Sequence, residues 1–387
     1  MGNQIVKGLE FTSTEFVEYD DISIDVDIYR RIACHRFKRK GVSKKLEKLF
    51  FIHGVGGSSH IWQNQISFFT NLDYEVILID LFGHGLSSKS KDIEDYEFCK
   101  LSKDCLTVFD RFRLESGQNN IVGHSYGCSM ATYVAHNRQN LVKRMVLISG
   151  GSSSPLGDPE VTFVLSDCCL RCLHPLILPL FRSQAHYGCS SSNYEKKISI
   201  NVDSLVLKAM IVGQVWDEGG PFYHSQIFVP TLLIHGKRDK FVSIDEETDM
   251  QHALPLCNLH TVRKAGHMSM LQASAEVNAA MIAHFHKDWS TVAPNNLSNG
   301  DQFLGSCSVI DLSIPEKSQN DAKISPKILM HRKTMPIGLL VRRKSTQLSL
   351  KRALSMRSSF QNFENNVSQE ITVQETISEE VTSSGFL

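Results

Sequence analysis

The sequence predicts an α/β fold built on a mostly parallel sheet. Short apolar runs that end in glycine or a polar turn recur along the chain, and helix-compatible segments separate them. Runs that are apolar throughout are typical of strands covered on both faces, as in parallel sheets. The runs are Lys48–Gly54, Tyr74–Gly83, Asn119–Ser125, Arg144–Gly151, Val229–Gly236 and Leu259–His267.

The segments between these runs predict helices, and one interval departs from the alternation. The predicted helices are Trp62–Asn71, Phe98–Arg113, Cys128–Arg138, Asp245–Leu254 and Met270–Phe285. Residues 152–225 contain no strand-like run and are rich in cysteine, proline and apolar residues. We therefore expect a core from two parts, 15–151 and 226–290, with 152–225 as a helical cap inserted between them.

The last part of the chain, residues 291–387, differs in composition. It is rich in Ser, Asn, Gln and Thr without sustained periodicity, which predicts a disordered tail. Within it, residues 336–360 mix lysine and arginine with Ile, Leu and Val. Two interpretations fit equally: a basic amphipathic helix that docks on a membrane or a protein partner, or a solvated linker.

Composition bounds the compartment and the partners. Lys plus Arg and Asp plus Glu both number 41, so no charge excess points to nucleic acid. The ten cysteines lack disulfide-scaffold spacing and the N-terminus lacks a secretory signal, which predicts a cytoplasmic, non-secreted protein, with peripheral membrane association left open. Gly2 suits N-myristoylation, but Val6 stands where Ser or Thr is usual.

Two cysteines in the predicted cap form a Cys-x-x-Cys pair, Cys169 and Cys172, next to Cys168. A single pair without a second one is a weak signal for zinc, and free cysteines are commonly buried. We therefore predict no metal site. The sequence does not indicate an oligomeric state.

The stretch Gly123-His124-Ser125-Tyr126-Gly127 has the G-x-S-x-G pattern of a nucleophilic serine. Such a serine needs a sharp strand-to-helix turn, and glycines at both ends of the pattern keep side chains from colliding there. A chance match in a structural loop is the alternative interpretation. The apolar run before the motif and the helix-compatible segment after it favour the nucleophile.

A serine nucleophile also needs a base and an acid that orients the base. Asp239 follows the run that ends at Gly236, and His267 follows the last run. The order Ser, acid, His is the one typical of this motif. Taken singly, Asp239 fits a turn beside Lys237, and His267 fits a capping or partly buried histidine. The three residues in order, each just past a strand, favour a catalytic set.

The negative oxygen that forms after attack needs two N–H donors. The residue after the nucleophile, Tyr126, supplies one, and the glycine-rich loop Phe51–Trp62 supplies the other, with Val55 as the expected donor. This loop lacks the G-K-[ST] ending of a phosphate-binding loop, so nucleotide binding is not predicted. The chemistry requires no cofactor.

Several motifs together resemble the α/β-hydrolase superfamily over about residues 48–290. They are His53-Gly54, "DLFGHGLSS", "GHSYG", "HGKRD" and "AGHM". The resemblance implies an eight-stranded, mostly parallel sheet flanked by helices, a helical cap, and Ser125, Asp239 and His267 as the charge-relay residues.

Two departures from relatives narrow the chemistry that the resemblance implies. The nucleophile position carries serine rather than aspartate, so epoxide hydrolase and haloalkane dehalogenase chemistry is not indicated. Gln272 follows His267 by five residues, where acyltransferase relatives carry the aspartate of an H-x4-D motif. We expect a serine hydrolase of carboxylic esters, with lipid acyl esters favoured over other small molecules. A non-catalytic scaffold that binds partners through the tail and a lipid acyltransferase are the alternatives.

Overall fold

The computed structural model describes residues 17–41, 46–151, 175, 178–188, 192–292 and 294. Within these residues the chain forms one sheet in the order β1-β2-β4-β3-β5-β6-β7-β8. Strand β1 pairs antiparallel with β2, and β2 antiparallel with β4, while all later neighbours are parallel. The strands are β1 Val17–Asp27, β2 Arg30–Arg39, β3 Lys48–Ile52, β4 Glu75–Ile79, β5 Asn119–His124, β6 Val142–Ile148, β7 Thr231–Gly236 and β8 Cys257–Val262.

Helices cover both faces of the sheet. They are α1 Gln63–Asn71, α2 Phe98–Phe112, α3 Gly127–Asn137, α4 Asn193–Ser199, α5 Ser204–Val212, α6 Pro221–His224, α7 Ile244–Ala253, α8 Ser269–Gln272 and α9 Ser274–His286. Short 3-10 turns lie at Ser59–Trp62 and Ile93–Tyr96.

The apolar core has two layers because successive strand residues point to opposite faces. In β3, Phe50 lies in the layer formed with α2, where its ring centroid is 4.9 Å from that of Phe109. Its neighbour Phe51 lies in the other layer, 4.8 Å from the ring of Trp62. The buried strands β3 to β7 are thus apolar on both faces, which explains their uninterrupted apolar runs.

The eight-stranded, mostly parallel sheet is confirmed, but its first two strands do not follow the predicted pattern. Strand β1 reads VEYDDISIDVD and carries a charged residue at almost every second position. Its side chains alternate between partly buried and exposed toward its carboxyl end, as on an edge strand with one solvated face. The predicted strands were uninterrupted apolar runs, so the β1–β2 hairpin was not among them.

The segment Met270–Phe285, predicted as one helix, is divided in two. Helix α8 ends at Gln272 and α9 begins at Ser274. Between them, Ala273 has φ −139° and ψ 46°, which is outside the helical region. Gln272 is therefore the last residue of α8.

Several predictions fall on residues that the structure leaves undescribed: Gly2, the cysteine group 168–172, the segment 336–360 and nearly all of 291–387. In the described part of 152–225, residues 178–185 are helical and α4, α5 and α6 follow. None of the helices in the described part of the chain is both long and apolar enough to cross a membrane.

Candidate active site

Ser125 lies at a sharp turn between β5 and α3. Its φ is +52°, a left-handed conformation that costs free energy for any residue with a side chain. The turn is held by two backbone hydrogen bonds, from Ser125 N–H to the Ile148 oxygen at 2.9 Å and from Cys128 N–H to the Ser125 oxygen at 2.9 Å. Ser125 is only partly buried. The turn thus presents a hydroxyl at the carboxyl end of the sheet.

The two glycines of the motif are required by packing. A Cβ on Gly123 would lie 2.6 Å from the Cα of Cys128. A Cβ on Gly127 would lie 2.5 Å from the carbonyl oxygens of Ile52 and His53. In both cases the neighbouring atom is backbone, so no side chain can move aside. Strand β3, strand β5 and helix α3 approach each other closely here because both positions lack a side chain.

Asp239 and His267 are in direct contact. Nδ1 of His267 donates to Oδ2 of Asp239 at 2.8 Å, and the Asp239 side chain has no exposed surface. The other carboxylate oxygen of Asp239 accepts from the backbone N–H groups of Phe241 at 2.8 Å and Val242 at 3.0 Å. Burial raises the pKa of Asp239, but His267 and these donors outweigh it and lower the pKa to about 2. Asp239 is therefore a carboxylate at neutral pH.

The imidazole of His267 lies beside the turn that carries Ser125. His124, the residue before Ser125, donates through Nε2 to the carbonyl oxygen of His267 at 3.1 Å. The two imidazole centroids are 4.9 Å apart, and the ring of Phe241 meets His267 edge-on at 5.0 Å. Burial lowers the pKa of His124 well below its ordinary value, so its ring is neutral. The structure therefore brings Ser125, Asp239 and His267 to one corner of the sheet.

The loop after β3 packs directly on Ser125. A Cβ on Gly54 would lie 2.7 Å from the Cβ of Ser125, so only glycine allows this approach. The next residue is Val55. Within the described part of the chain, the backbone N–H groups of Val55 and Tyr126 donate to no protein acceptor. Of the two donors predicted for the oxyanion, Tyr126 directly follows Ser125 in sequence, and Val55 directly follows the glycine that packs against Ser125.

Two neutral histidines hold this loop in place. His53 donates through Nδ1 to the Gly54 oxygen at 2.8 Å and accepts at Nε2 from Leu81 N–H at 3.0 Å. His84 accepts at Nε2 from Gly56 N–H at 3.0 Å and donates through Nδ1 to the Phe82 oxygen at 3.0 Å. Burial lowers the pKa of both, for His84 to about 3. Each ring thus joins the loop after β3 to the loop after β4.

A segment within the predicted cap contacts this same loop. Asn201 N–H donates to the Gly56 oxygen at 2.7 Å, and a Cβ on Gly56 would lie 2.7 Å from the Ile200 side chain. On the other side of Ser125, the Tyr126 hydroxyl donates to the Gly213 oxygen at 3.4 Å. Residues 200–213 therefore lie over the loop that flanks Ser125.

The architecture agrees with comparisons to known proteins. The family described as alpha/beta hydrolase fold matches residues 48–167. The chain is an α/β hydrolase by fold. It resembles Protein ABHD8: the Bos taurus protein is 40% identical over 264 residues, which are 67% of this chain and 59% of that protein. The human protein is 40% identical over 264 residues, 58% of its length. The chain thus spans under two thirds of these relatives.

Solved structures show the same α/β-hydrolase fold. A bromoperoxidase from Bacillus anthracis has a TM-score of 0.59 at 15% identity, covering 69% of this chain and 100% of that chain. A putative lipase from Acinetobacter baumannii has a TM-score of 0.55 at 20% identity, covering 68% of this chain and 90% of that chain. The resemblance to the superfamily that the motifs predicted is confirmed.

A buried carboxylate, Asp80, supports the loops near Ser125, and no motif in the sequence predicted a role for it. Asp80 Oδ1 accepts from Ser59 N–H at 2.8 Å, while Oδ2 accepts from Leu86 N–H at 2.9 Å and faces Nε2 of His35 at 3.1 Å. Burial raises the pKa of Asp80, but His35 and the Leu86 N–H outweigh burial, so the pKa lies well below its ordinary value. The available signal was its place at the start of "DLFGHGLSS", directly after an apolar run, while Asp239 lies three residues past the end of another strand.

No group of three or more His, Cys, Asp or Glu side chains that could hold a metal ion occurs among the residues with described positions.

Proposed function

We propose that this protein is a serine hydrolase that cleaves carboxylic esters of lipids through Ser125, His267 and Asp239. The hydrogen bond between Asp239 and His267, next to a serine in a left-handed turn, is the observation that carries the proposal. A turn of this kind costs free energy, and such strain persists at functional sites where the surrounding packing imposes it. The anionic Asp239 fixes the Nδ1–H tautomer of His267, which leaves Nε2 free to accept a proton.

The reaction proceeds in two halves. Ser125 Oγ attacks the ester carbonyl carbon while Nε2 of His267 takes its proton, and the N–H groups of Val55 and Tyr126 bind the oxyanion. His267 then gives the proton to the departing alcohol, which leaves an acyl group on Ser125. Water attacks this acyl-enzyme with His267 as base, the carboxylic acid departs, and Ser125 regains its proton. Besides the ester and water, the mechanism uses only side chains and backbone N–H groups of the chain.

Exposed apolar side chains support a lipid as the substrate class. Ile28 and Tyr29 form the turn between β1 and β2 and are 91% and 87% exposed. Since Cys34 of β2 pairs with Ile79 at the end of β4, this turn extends beyond the carboxyl ends of the parallel strands. Ser125 lies at that same end. An apolar tip at the same end of the sheet as the proposed hydrolytic site suits a substrate presented at a lipid surface.

The test is hydrolysis of a panel of acylglycerol and lysophospholipid esters by the purified full chain. We expect Ser125→Ala to reduce the rate by about a thousandfold or more, because it removes the nucleophile. Ser129→Ala is the matched control, since Ser129 lies one turn further along α3, and it should retain the wild-type rate. An equal rate in wild type and Ser125→Ala contradicts the proposal. A folded wild type that is inactive on the whole panel favours the scaffold.

A further inference from the structure

Gln272, which stands where acyltransferase relatives carry an aspartate, makes a set of contacts that only glutamine can make. Its Oε1 accepts from Gly266 N–H at 2.9 Å and from Tyr187 N–H at 3.1 Å, while its Nε2 donates to the Tyr187 oxygen at 2.9 Å. Flipping the amide would place Nε2 against two donors and Oε1 against an acceptor, so the partners determine its orientation. One carboxamide therefore joins the backbone before His267 to the backbone of residue 187.

Further contacts run along the same seam between residues 181–187 and the two loops that carry Asp239 and His267. Met268 N–H donates to the Ala185 oxygen at 3.1 Å. The Arg238 guanidinium lies over the Tyr187 ring, 5.4 Å from its centroid. A Cβ on Gly266 would lie 3.2 Å from both the Ala185 oxygen and the Tyr187 nitrogen, so the two backbones approach closely.

The seam reaches the imidazole through a pair of aromatic rings. Phe181 stacks on Phe241 with ring centroids 5.5 Å apart, and Phe241 meets the His267 ring edge-on at 5.0 Å. Phe241 also donates its N–H to Asp239. A displacement of residues 181–187 would therefore remove packing from the residue that supports both Asp239 and His267.

From these contacts we propose that Gln272 is a positioning residue that holds residues 181–187 against the His267 loop and so sets the orientation of His267 toward Ser125. The inference rests on the proposed hydrolase function. At the position where acyltransferase relatives carry an aspartate, this chain would thus have a glutamine that attaches residues 181–187 to the His267 loop. Glutamate keeps the two acceptor contacts but presents a second acceptor to the Tyr187 oxygen, and aspartate is shorter by one methylene.

The chain contains a matched control for this role. Gln139, beyond the end of α3 that lies away from Ser125, also bridges two backbone groups through its carboxamide. Its Oε1 accepts from Phe228 N–H at 2.9 Å, and its Nε2 donates to the Gln226 oxygen at 3.0 Å. Gln139→Met therefore removes two carboxamide–backbone hydrogen bonds and Gln272→Met removes three, and only Gln272 adjoins the His267 loop.

The experiment measures two quantities on the full chain: amide hydrogen exchange at Gly266 and Tyr187, and the pH profile of the rate at which a small fluorophosphonate labels Ser125. We expect Gln272→Met to increase exchange at both amides and to slow labelling by about tenfold, with an altered pH profile. Gln272→Glu should give an intermediate loss of labelling rate. Gln139→Met should leave both amides and the labelling rate as in wild type.

The outcomes separate this inference from the function on which it rests. If wild type labels at Ser125 and Gln272→Met labels at the same rate with the same pH profile, the positioning role is wrong, even where exchange has increased. If folded wild type does not label at all, the proposed function fails. Unchanged exchange at Gly266 and Tyr187 in Gln272→Met overturns the attachment role whatever the labelling result.

Discussion

Two buried aspartates, Asp80 and Asp239, occupy equivalent places in the sheet but differ in their histidine partners. Each follows a parallel strand, accepts two backbone N–H groups and faces one imidazole. His35, the partner of Asp80, contacts a second carboxylate, Asp21, through its other nitrogen. His267, in the described part of the chain, makes its side-chain hydrogen bond through Nδ1 alone.

The difference separates a structural acid–histidine pair from one available for proton transfer. Burial lowers the pKa of His35, but Asp80 and Asp21 together raise it above its ordinary value, so the ring is held as a cation between two carboxylates. Such a ring has no nitrogen left to accept a proton. The Asp239 pair leaves Nε2 of His267 without a hydrogen bond to any described residue, and His267 lies beside the turn that carries Ser125. A histidine beside a buried acid can accept a proton only when its second nitrogen is unoccupied.

The largest expected effect comes from neutralising Asp239, because Nε2 of its partner His267 is available to accept a proton. Asp239→Asn should slow ester hydrolysis by about 10³- to 10⁴-fold, since an amide favours the wrong histidine tautomer. Steady-state kinetics and a thermal unfolding scan should show this loss with the fold retained. A rate within a few-fold of wild type would mean that Asp239 does not orient the base.

The equivalent change in the Asp80–His35 pair should lower the free energy of unfolding. Asp80→Asn removes the charge that faces the buried His35, and breaking a buried pair costs about 3 kcal/mol of unfolding free energy. Urea titration of Asp80→Asn and Asp239→Asn measures their free energies of unfolding, and we expect the value for Asp80→Asn to be the lower. If Asp80→Asn instead unfolds at the wild-type midpoint, the network around Asp80 does not hold the loops together.

A smaller effect is expected in the acid dependence of stability. The folded pKa of Asp239 is lowered to about 2, so its contribution is present above its unfolded pKa of about 3.9 and disappears as pH falls toward 2. About two pKa units correspond to about 2.7 kcal/mol, most of which is lost between pH 5 and pH 2. Between pH 5 and pH 2, wild type should lose more unfolding free energy than Asp239→Asn by about this amount. Parallel curves for the two proteins would contradict the lowered pKa.

The sequence predicted the elements whose pattern is local. Strands β3 to β7 are short apolar runs that end near glycine, and Ser125 stands in a five-residue motif, so neighbouring residues alone reveal them. Asp239 and His267 were predicted as site residues because each follows such a run. The β1–β2 hairpin was missed because its charged alternation resembles a polar segment until a partner strand covers one face.

The contacts that support the site depend on residues far apart in sequence. His35 and Asp80 are 45 residues apart, and Gln272 and Tyr187 are 85 apart. Neither pair has a local pattern that indicates its partner. Gln272 was noticed only as a departure from a motif, and its role in attaching residues 181–187 required the three-dimensional structure.

The most direct test of the account is site mapping of a fluorophosphonate adduct on the full chain. Mass spectrometry of labelled, protease-digested wild type should find one adduct on Ser125, with labelling abolished in Ser125→Ala and strongly slowed in Asp239→Asn. Asp80→Asn, assayed below its unfolding temperature, should still carry the adduct on Ser125. A folded wild type with no adduct, or with an adduct on another serine, would contradict the assignment of Ser125 as the nucleophile.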